Sequence, residues 1–102
     1  MVSHVIYSAI DPVNPATCSP GVMNLIRKDF GFDGFLLSDD IVMQALSCVG
    51  DMGQRAEKSV RAGCDAVLHC NGIMAEMKQV ASAAPKLSAD SVRRFNTSLQ
   101  IV

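Results

Sequence analysis

The sequence predicts an α/β fold in which short buried strands alternate with helices. Apolar segments typical of strands recur about every thirty residues, over Met1–Tyr7, Phe35–Leu37 and Asp65–Cys70. The central segment does not alternate between polar and apolar residues, which indicates a parallel strand buried on both faces. Helical patterns lie between and after these segments. Such an order is typical of βα units joined by right-handed crossovers within one parallel sheet.

The composition indicates one globular unit. The chain has 102 residues, of which 49% are hydrophobic and 19% charged, and its net charge is −1 at pH 7. These values show no bias towards nucleic acid or an anionic membrane. No apolar run approaches the roughly 18 residues that cross a bilayer, and the amino terminus has no basic region followed by an apolar core. We therefore expect a cytoplasmic protein without nucleic-acid or membrane partners.

The first predicted strand begins at the first residue. Val2, Val5 and Ile6 supply the β-branched side chains that strands favour. Because domains usually have a few loose residues before their first buried element, we expect Met1 to be an internal methionine of a longer chain. Asp11–Pro15 then forms a loop, since each proline restricts the residue before it.

Capping residues bound the helices. Ser19 is placed to cap a helix whose first position is Pro20, and Gly31 ends that helix. Gly63 closes a later helix, and Pro85 separates the last two. The predicted helices run over Ser19–Phe30, from Asp39 or Asp40 to about Cys48, and over Arg55–Ala62, Met74–Ala84 and Ser88–Leu99.

Three parallel strands leave two open sheet edges and cannot enclose a core covered on both faces. At about 1.5 kcal/mol of ordering entropy per residue, such a sheet would struggle to reach net stability on its own. The sequence therefore predicts part of something larger. One alternative is a non-catalytic remnant or assembly module that self-associates through its open edges.

The cysteines show no paired short spacing of the kind that zinc sites use. Cys18, Cys48, Cys64 and Cys70 are therefore predicted to be reduced, buried thiols. His69 precedes Cys70, but adjacent residues of a strand point to opposite faces, so one metal site would have difficulty using both.

Two acids follow the central strand in the segment Ser38–Asp40. This is where the carboxyl ends of parallel strands present groups to a ligand, in an open sheet or in a barrel. The alternative is that Asp39 and Asp40 only cap the following helix, which is the commoner role of such residues when the motif is taken alone.

Several segments, taken in order and spacing, resemble the bacterial β-N-acetylglucosaminidases of glycoside hydrolase family three. These β-hexosaminidases of cell-wall recycling use a (β/α)8 barrel. The resemblance covers nearly the whole chain. The matching segments are Met1–Tyr7, Asp11–Pro12, Pro15–Thr17 with Ser19, Gly31–Gly34, Ser38–Asp40 with Met43, Ala62–Asp65, Val67–Leu68 and Cys70–Asn71.

The resemblance implies that residues 1–102 are part of the family's N-terminal catalytic barrel. The three strands would be strands six, seven and eight, with five βα units before Met1, since a full barrel takes about 250 residues. Asp39 would be the nucleophile of a two-step retaining hydrolysis that removes non-reducing N-acetylglucosamine from cell-wall saccharides. Asp40 would point away and cap the next helix. The resemblance implies no cofactor and no metal.

Other site residues follow from the same resemblance. His4, at the carboxyl end of strand six, and Met43 are predicted to contact the sugar, although a core histidine and a packing methionine are the alternatives. His69, at the end of strand eight, is a further candidate for a sugar contact, with less support from the family pattern. The family's acid/base histidine and further sugar-binding side chains lie on segments that are not among these residues, so we expect the isolated chain to be inactive. Ile41–Val42 replaces the leucine and serine that are usual in the motif.

A signalling domain is the alternative from another class. The spacing over Asp40–Met43 is similar to a phosphoacceptor site. A phospho-receiver domain needs five strands, an acidic pair after the first strand and a lysine after the last. The sequence predicts three strands and has no such lysine.

Overall fold

In the computed structural model, which describes residues 1–100, two parallel strands lie side by side. They are β1 (Leu37–Asp40) and β2 (Ala66–Leu68). The amino-terminal segment joins β1 through one parallel bridge between Val2 and Ser38. The three predicted strand regions are therefore neighbours in chain order, with β1 in the middle.

The first predicted strand, Met1–Tyr7, is present only as that single bridge. The segment bonds instead to the turn that follows it, because Thr17 N–H donates to Ser3 O at 3.2 Å and Ala16 N–H donates to Val5 O at 2.8 Å. The carbonyls of Ser3 and Val5 are thus satisfied by a loop, and only Val2 pairs with β1.

The acids lie at the end of β1, not after it as predicted. Pairing continues through them because Ile41 N–H donates to Leu68 O at 2.9 Å. Ser38 Oγ also accepts from Leu68 N–H at 3.0 Å. A side chain thus replaces a backbone acceptor, and the register is irregular between Leu37 and Asp40.

Helices cover the strands. They are α1 (Pro20–Asn24), α2 (Met52–Ala62), α3 (Met74–Ala83) and α4 (Ala89–Leu99), with a π-helical turn over Leu25–Asp29 and 3₁₀ turns over Ala16–Cys18 and Gln44–Val49. Ser19 caps α1 as predicted, since its hydroxyl accepts from Val22 N–H at 3.2 Å. Ser88 caps α4 in the same way. Among residues 1–100, no helix has the length and apolar content to cross a membrane.

Two helix predictions need correction. Helix α2 begins at Met52, earlier than the predicted Arg55, because Asp51 and Gln54 form a capping box with N–H···O distances of 2.8 and 2.9 Å. The helix predicted after the central strand is a 3₁₀ turn that begins at Gln44 without a side-chain cap. Asp40 therefore does not cap a helix.

Two apolar clusters form the core. The first packs α1 against the amino-terminal segment and the start of β1, and its members are Val2, Ala16, Val22, Met23, Leu36 and Cys64. The second packs α2 against the end of β1, and its members are Cys18, Ile41, Leu46 and Ala56.

The prediction of buried, reduced thiols holds for two of the cysteines. All four cysteines are free, but only Cys18 and Cys64 are buried, whereas Cys48 and Cys70 are exposed. Burial raises the pKa of the Cys64 thiol to about 12, so this group stays protonated and behaves as a small apolar side chain.

A buried carboxylate joins the amino-terminal ends of the strands to two helical segments. Asp65 is 4% exposed and accepts from Leu36 N–H at 2.7 Å and Ser91 Oγ at 2.5 Å. It also pairs with Arg27 at 2.8 Å and Arg94 at 3.0 Å. Burial alone would raise the pKa of the carboxyl, but these hydrogen bonds and charges hold it below the ordinary value.

Replacing Asp65 with asparagine should lower the free energy of unfolding by about 3 kcal/mol at pH 7, because two partly buried arginines lose their charged partner. The folded-state pKa lies below the unfolded value of 3.8. The contribution is therefore present above pH 3.8 and is lost as the pH falls through the folded value. Urea unfolding of both proteins at pH 7 and at pH 3 measures this difference, which should shrink in acid.

Asp33→Asn is the matched control, since Asp33 also pairs with Arg94 but is exposed. Its removal should change stability little, because surface ion pairs are screened by solvent. Equal losses in the two variants would contradict the structural role of Asp65.

Gly63→Ala should cost about 1–3 kcal/mol of stability. Gly63 ends α2 with a φ of 141°, and an added Cβ would lie 2.8 Å from Met23 Cβ. Gly72 also has a positive φ, of 72°, but an added Cβ there meets nothing within 4 Å. Gly72→Ala should therefore cost only about 1 kcal/mol of backbone strain. Urea unfolding distinguishes the two, and an equal loss would show that the Met23 contact has no effect.

Candidate active site

Asp39 lies at the carboxyl end of β1 with a partly exposed side chain. Its Oδ1 accepts from Asp40 N–H at 2.8 Å. Within residues 1–100 its other carboxylate oxygen, Oδ2, has no hydrogen-bond partner. One oxygen thus orients the carboxylate while the other is available to a reacting atom.

Asp40 holds backbone groups together. Its Oδ1 accepts from Val42 N–H at 3.1 Å and from Cys70 N–H at 3.3 Å. The side chain therefore closes the turn after β1 and ties it to the residues after β2. The two adjacent acids have different surroundings, because the Asp40 carboxylate binds backbone groups of two separate segments, whereas the Asp39 carboxylate accepts only from the next residue.

His4 is buried, with 7% of its surface exposed. Its Nδ1 lies 2.7 Å from Thr17 Oγ1, and its Nε2 lies 2.8 Å from the carbonyl oxygen of Asp40. Both polar atoms of the ring are thus engaged within the chain. The structure brings His4 next to the acids, and its contact with a sugar stays a prediction.

Met43 is 44% exposed and directly precedes the 3₁₀ turn.

Sequence reasoning missed the residue that supports the loop after β1. Arg55 is buried in α2 and donates to Ile41 O at 2.8 Å and to Gly50 O at 2.9 Å. The available signal was its place one turn before Ser59 on the buried face of the helix, where an arginine needs several acceptors.

His69 contacts α3 and makes no hydrogen bond to Asp39 within residues 1–100. Its Nε2 is 3.5 Å from Glu76 Oε1 at the start of α3, and its buried Nδ1 has no partner within residues 1–100. Cys70 lies beside the acids instead, where partial desolvation and then the Asp40 and Asp39 carboxylates raise the pKa of its thiol. In the part of the chain that the structure describes, no group of three or more potential ligands is arranged for a metal ion.

This arrangement suits one half of a displacement reaction. A carboxylate with a free oxygen at the carboxyl end of a parallel strand can attack an electrophilic carbon. Hydrolysis of a glycoside with retention also needs a second group that protonates the leaving oxygen. Among residues 1–100, His4 has both nitrogens engaged and His69 faces Glu76. Asp39 is therefore the group that these residues supply.

Comparison with known proteins gives the same family along the whole chain. The pattern of the "Glycosyl hydrolase family 3 N terminal domain" matches residues 1–102. A β-hexosaminidase of Idiomarina loihiensis is 34% identical over 99 residues, which are 97% of this chain and 30% of that protein. A β-hexosaminidase of Nitrosomonas eutropha is 44% identical over 71 residues, or 70% of this chain and 20% of that protein.

Solved structures show the same fold. A β-N-acetylhexosaminidase from Beutenbergia cavernae superposes with a TM-score of 0.75 and 31% identity, over 94% of this chain and 31% of that one. CbsA from Thermotoga neapolitana has a TM-score of 0.77 at 22% identity, over 97% of this chain and 24% of that one. The latter likeness shows the fold alone.

The chain thus spans less than a third of the relatives that it matches. The resemblance predicted from the sequence motifs is confirmed, and it favours the glycosidase interpretation over a phospho-receiver domain. Because the family pattern extends over residues 1–102, the chain belongs to glycosyl hydrolase family 3.

Proposed function

We propose that this chain supplies the nucleophile, Asp39, of a retaining β-N-acetylglucosaminidase. The observation that carries the proposal is the unpartnered carboxylate oxygen of Asp39 at the carboxyl end of β1, in a chain of a glycosidase family. The neighbouring acid supports this assignment, because the Asp40 carboxylate already holds Val42 and Cys70.

The reaction takes two displacements. Asp39 attacks the anomeric carbon and forms a glycosyl ester, while the leaving oxygen takes a proton from a general acid. That group then acts as a base and removes a proton from water, which attacks the ester and releases the sugar with its configuration retained. By resemblance the acid/base is a histidine outside residues 1–102.

The proposed complete fold is a (β/α)8 barrel in which these residues form strands six to eight. Two observations support it. The amino-terminal segment, β1 and β2 are parallel neighbours in chain order, as successive barrel strands are. Large apolar side chains are also exposed beside the amino-terminal segment, at Tyr7, Ile10 and Phe30, where a preceding βα unit would cover them.

The proposed substrate is a cell-wall saccharide that ends in non-reducing N-acetylglucosamine. Support comes from the relatives, which are named β-hexosaminidase, and from the β-N-acetylhexosaminidase among the solved structures. The contact of Met43 with the sugar and the cytoplasmic location belong to the same proposal, whereas a sugar contact is one of two roles for His4 that kinetics can separate.

Asp39→Asn should lower the hydrolysis rate of a chromogenic N-acetylglucosaminide by on the order of 10³-fold or more, because an amide cannot form the ester. The measurement uses the polypeptide produced from the native locus, with its intact mass recorded. Asp40→Asn is the matched control, since its amide oxygen can still accept from Val42 and Cys70, and it should lose less than about 10-fold. Full activity in the Asp39 variant would overturn the nucleophile assignment.

Residues 1–102 produced alone should show no turnover of the same substrate, since they carry the nucleophile without the acid/base. They should also self-associate, because the sheet edge and the apolar side chains around Phe30 are uncovered. Sedimentation and a hydrolysis assay test both expectations. Hydrolysis by a monomer that Asp39→Asn abolishes would contradict them.

A further inference from the structure

We infer that His4 is a positioning residue that orients Asp39 through the backbone of Asp40, which rests on the nucleophile role proposed above. His4 does not touch the reacting carboxylate in the structure. It hydrogen-bonds to Asp40, and the N–H of Asp40 donates to the Asp39 carboxylate.

The imidazole ring of His4 is fixed on its far side. Thr17 Oγ1 lies 2.7 Å from Nδ1 and 2.7 Å from the carbonyl oxygen of Ser3. Thr17 has no exposed surface and His4 is 7% exposed. The ring therefore has one orientation, set by a buried hydroxyl that also lies against the backbone beside His4.

The near side of the ring fixes Asp40. A carbonyl oxygen can only accept, so Nε2 carries a hydrogen and donates it to Asp40 O at 2.8 Å. The N–H of the same residue donates to Asp39 Oδ1 at 2.8 Å. The two backbone groups of Asp40 thus connect the His4 ring to the Asp39 carboxylate.

The amino-terminal segment also holds the backbone of Asp39 itself. Asp39 N–H donates to Val2 O at 2.9 Å, and Val2 N–H donates to Leu37 O at 2.8 Å. Val2 and His4 therefore hold consecutive residues of β1. With both peptide neighbours fixed, rotation of the Asp39 side chain is limited by its bond to Asp40 N–H.

A positioning role and a sugar contact predict different kinetics. Misplacement of a nucleophile slows the chemical step and can cost on the order of 100-fold for a 1 Å shift. Loss of a ground-state sugar contact raises KM and leaves kcat unchanged. A merely structural histidine would lower stability without selecting between these two parameters.

Two substitutions test the two hydrogen bonds of the His4 imidazole separately. His4→Gln places an amide nitrogen near the position of Nε2 and keeps the donor to Asp40 O. His4→Asn places its amide near Nδ1, so it keeps the contact with Thr17 and loses the one with Asp40. Both variants are made in the polypeptide from the native locus and assayed with the chromogenic N-acetylglucosaminide, and urea unfolding is recorded for each.

We expect the asparagine variant to lose about 10- to 100-fold in kcat with KM within threefold, and the glutamine variant to stay within about threefold of the unmodified protein in both parameters. An unchanged kcat in the asparagine variant would overturn the positioning role, and so would equal kcat losses in both variants. A raised KM at constant kcat would overturn it in favour of a sugar contact.

A failure of the proposed function looks different, because the unmodified protein would then show no hydrolysis that depends on Asp39. That result would overturn the nucleophile role and the positioning role together. If His4→Asn does not fold, Thr17→Val removes the hydroxyl that fixes the ring, and Thr17→Ser restores it. The valine variant should lose kcat at constant KM and the serine variant should recover it, whereas equal kcat values would overturn the positioning role.

Discussion

The buried carboxylate of Asp65 is the interaction on which the rest of the structure depends. It lies directly before β2 and accepts a hydrogen bond from the backbone N–H just before β1. It also pairs with Arg27 after α1 and with Arg94 in α4. Elements that are distant in the sequence therefore contact the same carboxylate. A buried carboxylate costs free energy unless every acceptor position is filled, so the packing of α1, α4 and both strands is fixed together at this end of the sheet.

The opposite end of the sheet has a different organisation. Side chains there bind backbone groups: Arg55 binds the loop after β1, Asp40 binds the residues after β2, and His4 binds the Asp40 carbonyl. The Asp39 carboxylate, by contrast, accepts only from Asp40 N–H within residues 1–100 and binds no other segment. The buried ion pairs of Asp65 thus lie at the amino-terminal ends of the strands and the proposed nucleophile at their carboxyl ends, which is the division typical of parallel α/β enzymes.

Much of the fold was predictable because it depends on local sequence. The caps at Ser19 and Ser88 and the positive φ of Gly63 need only neighbouring backbone groups. The predictions failed where distant groups compete. The strand over Met1–Tyr7 is a single bridge because the turn at Ala16 binds the carbonyls of Ser3 and Val5. The acids lie within β1 because pairing with β2 continues past them.

The sequence by itself determined the alternation of strands and helices, the pair of acids that follows the central apolar segment and, through its motifs, the family. These depend on spacing along the chain and on local hydrogen bonds. The tertiary structure alone decided which acid binds the residues after β2, that His4 binds Asp40 rather than solvent, and that Arg55 supports the loop. Such contacts join residues more than ten positions apart or depend on a strand register, and a register is set only when the sheet and its helices pack.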